Sequence, residues 1–151
     1  MPAQNSVGLW VLGGGALFIC VTLPVGQTMS LIDYDLTVSW GLQEPASEIT
    51  AMGVVLNKAF AAADTVVYLP LMVIGLAGLW LRKKWGLIAL SAGLGITAYW
   101  IIEVLYFIYA ARGLPGFTLS KQTTFTLMLV PLVVYAIWGL VFLCRDRDRF
   151  R

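Results

Sequence analysis

The chain contains no histidine among its 151 residues, only two cysteines, and just 12% charged residues. Without imidazole, histidine acid–base chemistry, His-ligated haem and most zinc or copper sites are excluded together. Cys20 and Cys144 stand in separate hydrophobic stretches, so neither a disulfide nor a CxxC-type site is readable. No strand pattern precedes a glycine-rich loop, and Gly13-Gly14-Gly15, Gly75, Gly78, Gly93 and Gly95 read as close helix packing, not phosphate cradles. No metal, no cofactor and no nucleic-acid partner are expected.

What is there instead is apolar. The chain is 60% hydrophobic with a mean hydropathy of +0.85. Soluble domains carry about 25% charged residues, so the composition predicts one integral membrane domain. Four stretches have the ~20 apolar residues that a spanning helix needs, at about 7–25, 62–81, 86–109 and 125–144. The first resembles a secretory signal in length, but Met1 to Ser6 holds no Lys or Arg, and it reads as a retained helix. The expected fold is an all-α, four-helix transmembrane bundle with a long outer loop between the first two spans.

The basic residues set the expected orientation. Arg82, Lys83 and Lys84 fill the middle loop, and Arg145, Arg147, Arg149 and Arg151 fill the tail, against Lys58, Arg112 and Lys121 on the other side. The positive-inside rule puts both termini and the Arg82–Trp85 turn in the cytoplasm, in a cell membrane or an organelle membrane. The segment Gln27 to Thr50 is then outside, with Asp33, Asp35, Glu44 and Glu48 and no base. Asp33-Tyr34-Asp35 and Ser39-Trp40-Gly41 read as loop or short interfacial helix, and Ser47 as a helix N-cap. The sign-alternating tail reads as a solvated anchor.

Two carboxylates interrupt the hydrophobic stretches. Asp64 lies eighteen residues before Arg82, and Glu103 eighteen after Trp85. At ~1.5 Å per residue both acids stand roughly 27 Å from the turn, at one depth near the outer face. An ionisable group at the centre of a membrane helix costs about 2.5–3.5 kcal/mol, which makes the pair a candidate site. Helical spacing places Asn57, Asp64 and Tyr68 on one face of the second helix. On the third, Tyr99, Trp100 and Tyr106 surround Glu103, while Trp80, Trp85 and Tyr109 read as interfacial belts. Pro70 removes a backbone N–H and predicts a bend beside Asp64, at the carbonyl of Val66. The same acids and tyrosines also fit a plainer role as hydrogen-bond clips between helices.

The run Asp64-Thr65-Val66-Val67-Tyr68-Leu69-Pro70 resembles the acid-then-Leu-Pro pattern of the EXPERA family, and Val130-Pro131 with Tyr135 is similar to the proline-bearing fourth helix of that family. The resemblance implies four membrane helices with cytoplasmic ends and a pocket for sterols or amphiphilic amines. It implies Asp64 as the main acid, with Asp33 or Asp35 as a second. The histidine expected in the isomerase branch is absent, which argues against sterol isomerisation.

Three function classes follow. A binder would hold a membrane lipid or hydrophobic small molecule in an outer-facing pocket lined by Asp64, Glu103, Tyr68, Tyr99, Trp100, Tyr106 and Asn57. An enzyme would use Asp64 and Glu103 as acid and base for proton transfer. An accessory subunit would pack its spans against partner membrane subunits. The binder is the favoured expectation.

Overall fold

The computed structural model describes residues 6–147, so the expectations for Met1 to Asn5 and for the end of the basic tail lie outside the described residues. Among the described residues the chain is helical, with no strand. Four helices are long and apolar enough to cross a membrane: α1 (Val7–Ile32), α3 (Ala46–Leu81), α4 (Lys84–Ala110) and α5 (Gln122–Arg145). A short helix, α2 (Tyr34–Ser39), lies between the first two.

Every span is longer than the sequence alone suggested, and the first two differ most. α1 passes Pro24 without stopping, because Pro24 opens a π-turn, Pro24–Thr28, in which the Met29 N–H reaches back five residues to the Pro24 carbonyl. α3 begins at Ala46 and not near Ala62, so Glu48, Asn57 and Lys58 belong to the helix. Thr50 breaks the helix near its start, and the 31 residues from Ala51 to Leu81 span about 46 Å, more than one bilayer thickness. The connection between α1 and α3 is thereby reduced to α2 and the short turns flanking it. Pro45 occupies the N-cap of α3, so Ser47 sits inside the first turn instead of capping it. α2 is capped by Asp33, whose Oδ1 accepts from the Leu36 N–H at 2.9 Å.

Where the sequence predicts a bend beside Pro70, a second π-turn, Asp64–Tyr68, immediately precedes Leu69-Pro70, and the kink of α3 lies instead at Thr50, with φ 67 and ψ 165. The Leu69 N–H donates to the Asp64 carbonyl five residues back, just before Pro70, which has no N–H of its own to continue the ladder. The two π-turns pack on each other, and Thr28 and Thr65 join them through their hydroxyls at 2.9 Å.

α1, α3, α4 and α5 enclose a core of Leu12, Ala16, Ile19, Leu23, Tyr68, Met72, Leu79, Leu90, Leu94, Ala136 and Leu143. α3 and α4 meet almost backbone to backbone near their connecting turn: a Cβ on Gly75 would lie 2.6 Å from Leu90 Cα, and one on Gly78 would collide with Gly86 Cα. α5 closes the bundle on α1, where the Tyr135 hydroxyl donates to the Leu12 carbonyl at 2.7 Å. Gly8 on α1 faces Phe142 on α5, so the first and last helices meet at the same end of the bundle as the Arg82 turn.

Candidate functional site

At the end remote from Arg82, α3 and α4 leave a cavity of about 260 Å³ between them. α3 contributes Ile49, Thr50, Gly53, Asn57 and Phe60, and α4 contributes Trp100, Glu103, Val104, Phe107 and Ile108. α5 closes one side with Phe125 and Leu129, while Gln27, Gln43 and Glu44 cap the top. The connection between α4 and α5 covers the remainder with Phe117 and Leu119. Glu48 holds that cover: its carboxylate accepts from the Ser120 N–H at 3.0 Å and the Ser120 hydroxyl at 2.9 Å, and its carbonyl accepts from the Thr118 N–H at 2.8 Å.

The polar end is organised around Asn57. Its amide donates towards the Tyr34 hydroxyl and Gln43 Oε1, both at 3.1 Å, and more weakly to Glu44 Oε2 at 3.4 Å. Tyr34 in turn donates to the Glu44 carbonyl at 2.9 Å, and the Gln43 amide donates to the Gly26 carbonyl at 3.1 Å. The short segment between α1 and α3 is therefore stitched to both helices, with Glu44 fixed beside the cavity. Burial pushes the Glu44 carboxyl above its ordinary value, and Glu48 adds to the rise. The backbone, Asn57 and Lys121 pull the other way without cancelling it.

The seven residues read from sequence do not form one group. Asn57, Trp100 and Glu103 line the cavity; Asp64, Tyr68, Tyr99 and Tyr106 do not. On α4 the reason is angular. At about 100° per residue, Trp100 and Phe107 lie on one flank of Glu103, while Tyr99 and Tyr106 lie on the other. That second flank looks outward, and Tyr99 and Tyr106 are 70% and 69% exposed. Glu103 is thus the edge of the cavity wall, not the centre of an aromatic ring set.

On α3 the cavity stops at Phe60, one turn short of Asp64. Asp64 is buried, 7% exposed, at the level where the two π-turns pack, and no hydrogen bond to its carboxylate is found among the described residues. Tyr68, the last residue of the π-turn, is buried in the core, where its hydroxyl and that of Thr97 share a 2.6 Å hydrogen bond. Tyr68 thereby makes the kind of interhelical clip that the plainer reading described. Asp33 and Asp35, the acids suggested by resemblance as partners of Asp64, are both exposed. The carboxylate that joins Glu103 at the cavity is Glu44.

Gln27, Gln43 and Glu44 were not among the expected site residues. The available signal was the pair Gln43-Glu44 just before Pro45, a polar doublet at the N-terminus of a helix whose start lies sixteen residues earlier than hydropathy suggests.

Among the described residues, no group of three or more His, Cys, Asp or Glu is placed to hold a metal ion. The cavity offers two carboxylates, three amides and an aromatic wall, a set that can orient a polar group while enclosing an apolar one. No family model, no curated protein and no solved structure matches the chain.

Proposed function

We propose that this multi-pass membrane protein binds a lipid-like or amphiphilic small molecule in the cavity between α3 and α4, with the cavity and its cap on the outer side and both termini in the cytoplasm. One observation carries the reading: the cavity is polarised. Gln27, Gln43, Glu44, Asn57 and Glu103 supply polar contacts, while Phe60, Trp100, Phe107, Phe125 and Leu129 supply apolar ones. Its volume of about 260 Å³ is close to the ~300 Å³ at which ligand pockets begin, enough for a small amphiphile or the head of a longer one. Glu44 and Glu103 fix the polar end, and the aromatic side chains receive the apolar end. Asp64 has a structural place at the packed π-turns and takes no part in binding.

The test is mass spectrometry of small molecules extracted from protein purified in mild detergent. Wild type and Asp64→Asn are expected to yield the same compound, and the Glu44→Gln, Glu103→Gln double variant is expected to lose it. Equal yield from all three proteins would remove the cavity as the site. Loss in Asp64→Asn alone would move the site to the π-turns. If all three come out empty and equally stable, the spans serve packing against partner subunits instead.

A further inference from the structure

A second space lies at the opposite end of the bundle. A groove of about 380 Å³ runs between α1 and the end of α3, lined by Leu9, Trp10, Leu79, Trp80 and Arg82. Gly13 lets the Trp80 indole approach α1 closely, since a Cβ there would stand 3.3 Å from Trp80 Nε1. Trp10 and Trp80 remain 75% and 65% exposed. Arg82 ends α3 in the left-handed conformation, φ 52 and ψ 43, and so turns the chain at the mouth of the groove. Lys83 and Lys84 follow it, and none of the three cations has an ion-pair partner among the described residues.

We propose that this groove seats one anionic phospholipid, with the phosphate on the Arg82 guanidinium and the first methylenes of an acyl chain between Trp10 and Trp80. The groove opens sideways between two spanning helices, so in a membrane its apolar walls face hydrocarbon, and a lipid is the molecule available to cover them. Its one charged side chain is cationic, and a guanidinium binds phosphate oxygens through paired N–H donors. Indoles favour the headgroup level, where their N–H finds an acceptor, and basic pockets between membrane helices select acidic headgroups. Lys83 and Lys84 carry the same charge but do not line the groove. That difference separates a seated lipid from the general attraction of a basic turn to an anionic surface, which would draw on all three cations alike.

The experiment is native mass spectrometry of the full chain from detergent, mixed with equal amounts of phosphatidylglycerol and phosphatidylcholine of identical acyl chains. One phosphatidylglycerol is expected to be retained over phosphatidylcholine by about fivefold. Arg82→Asn, a residue that tolerates the left-handed conformation, is expected to abolish the preference, and Lys83→Gln with Lys84→Gln to keep it. Trp10→Leu, on an exposed helix face, reads the site independently of the turn and is expected to lower retention about threefold. Equal retention of both lipids would overturn the proposal, as would a double lysine variant that loses as much as Arg82→Asn. Inorganic phosphate at millimolar concentration should not displace the lipid; displacement would show an anion site with no acyl component.

Discussion

The two ends of the α3–α4 pair are built in opposite ways. Towards Arg82, Gly75, Gly78, Gly86 and Gly93 strip the interface of side chains, and the two backbones touch. Beyond the π-turn at Asp64–Tyr68, the same two helices carry Asn57, Phe60, Trp100, Glu103 and Phe107, and a cavity lies between them. Without a hydrophobic force between helices in lipid, close packing of small residues is what holds a membrane hairpin together. The glycine end can therefore act as the fixed frame, and the far end can stay open because the frame does not depend on it. The π-turn at Asp64–Tyr68 lies between the two regions, immediately before Leu69-Pro70 and the glycine-packed segment.

A side chain added where the two backbones touch is expected to cost far more than one added into open space on the same helix. Gly86→Leu places a side chain against Gly78 backbone, which cannot swing aside as a side chain can. Overpacking of this kind is expected to cost more than about 3 kcal/mol, enough to prevent recovery of folded protein or to lower its Tm sharply. Gly95→Ala on the same helix meets nothing within 4 Å and is expected to be neutral or slightly stabilising, since alanine exceeds glycine in helix propensity by about 1 kcal/mol. Thermal unfolding in detergent compares the two. Similar losses in both would mean that the glycine contacts carry no special weight.

Much of this architecture is legible in the sequence, and what is missed has identifiable causes. The number of spanning helices follows from hydropathy because a membrane helix must satisfy its backbone internally. The start of α3 does not, because Glu48, Asn57 and Lys58 lower the hydropathy of its first turns; it is the cap signal at Pro45-Ala46-Ser47-Glu48 that marks it, with Ser47 two residues past the observed N-cap, Pro45. Depth counted from the Arg82 turn places Asp64 and Glu103 at a common level, but depth says nothing about direction. Glu103 meets the cavity because Trp100 and Phe107 turn inward on its flank; Asp64 lies below Phe60, where the cavity has ended. Glu44 is hidden for another reason. Its position depends on Asn57, Gln43 and Tyr34 closing a network between three segments, and no local pattern encodes that closure.

The open end has its own point of tension. Thr50 adopts φ 67 and ψ 165, a region essentially reserved for glycine, where a residue with a branched Cβ stores about 1–3 kcal/mol. Its neighbours hold it there: Ile49 is buried, and Glu48 is bonded to Thr118 and Ser120. Thr50 also accepts a long hydrogen bond from the Gly53 N–H at 3.4 Å, as an N-cap would, and glycine in a capping position costs only a few tenths of a kcal/mol. Thr50→Gly is accordingly expected to raise stability by about 1 kcal/mol, read as a higher Tm. A lower Tm would mean that the methyl packed over Gly116 outweighs the strain.

The smallest effect concerns charge at the open end, and its sign can be fixed in advance. Glu44 holds its proton more tightly in the folded chain than a free carboxyl does, chiefly because it is buried. Between the ordinary value of 4.5 and its raised folded value, the folded state binds more protons than the unfolded one. Stability contributed by the neutral carboxyl is therefore full below that window and lost as pH rises through it. Glu44→Gln keeps a neutral group of the same shape, so its Tm should fall less than that of wild type as pH is raised from 4 to 8, by a difference of about 1 kcal/mol or less in stability. Gly95→Ala leaves Glu44 in place and should follow the wild-type pH profile. A Glu44→Gln profile parallel to wild type would show that the carboxyl titrates as though in water, and so faces solvent instead of the cavity.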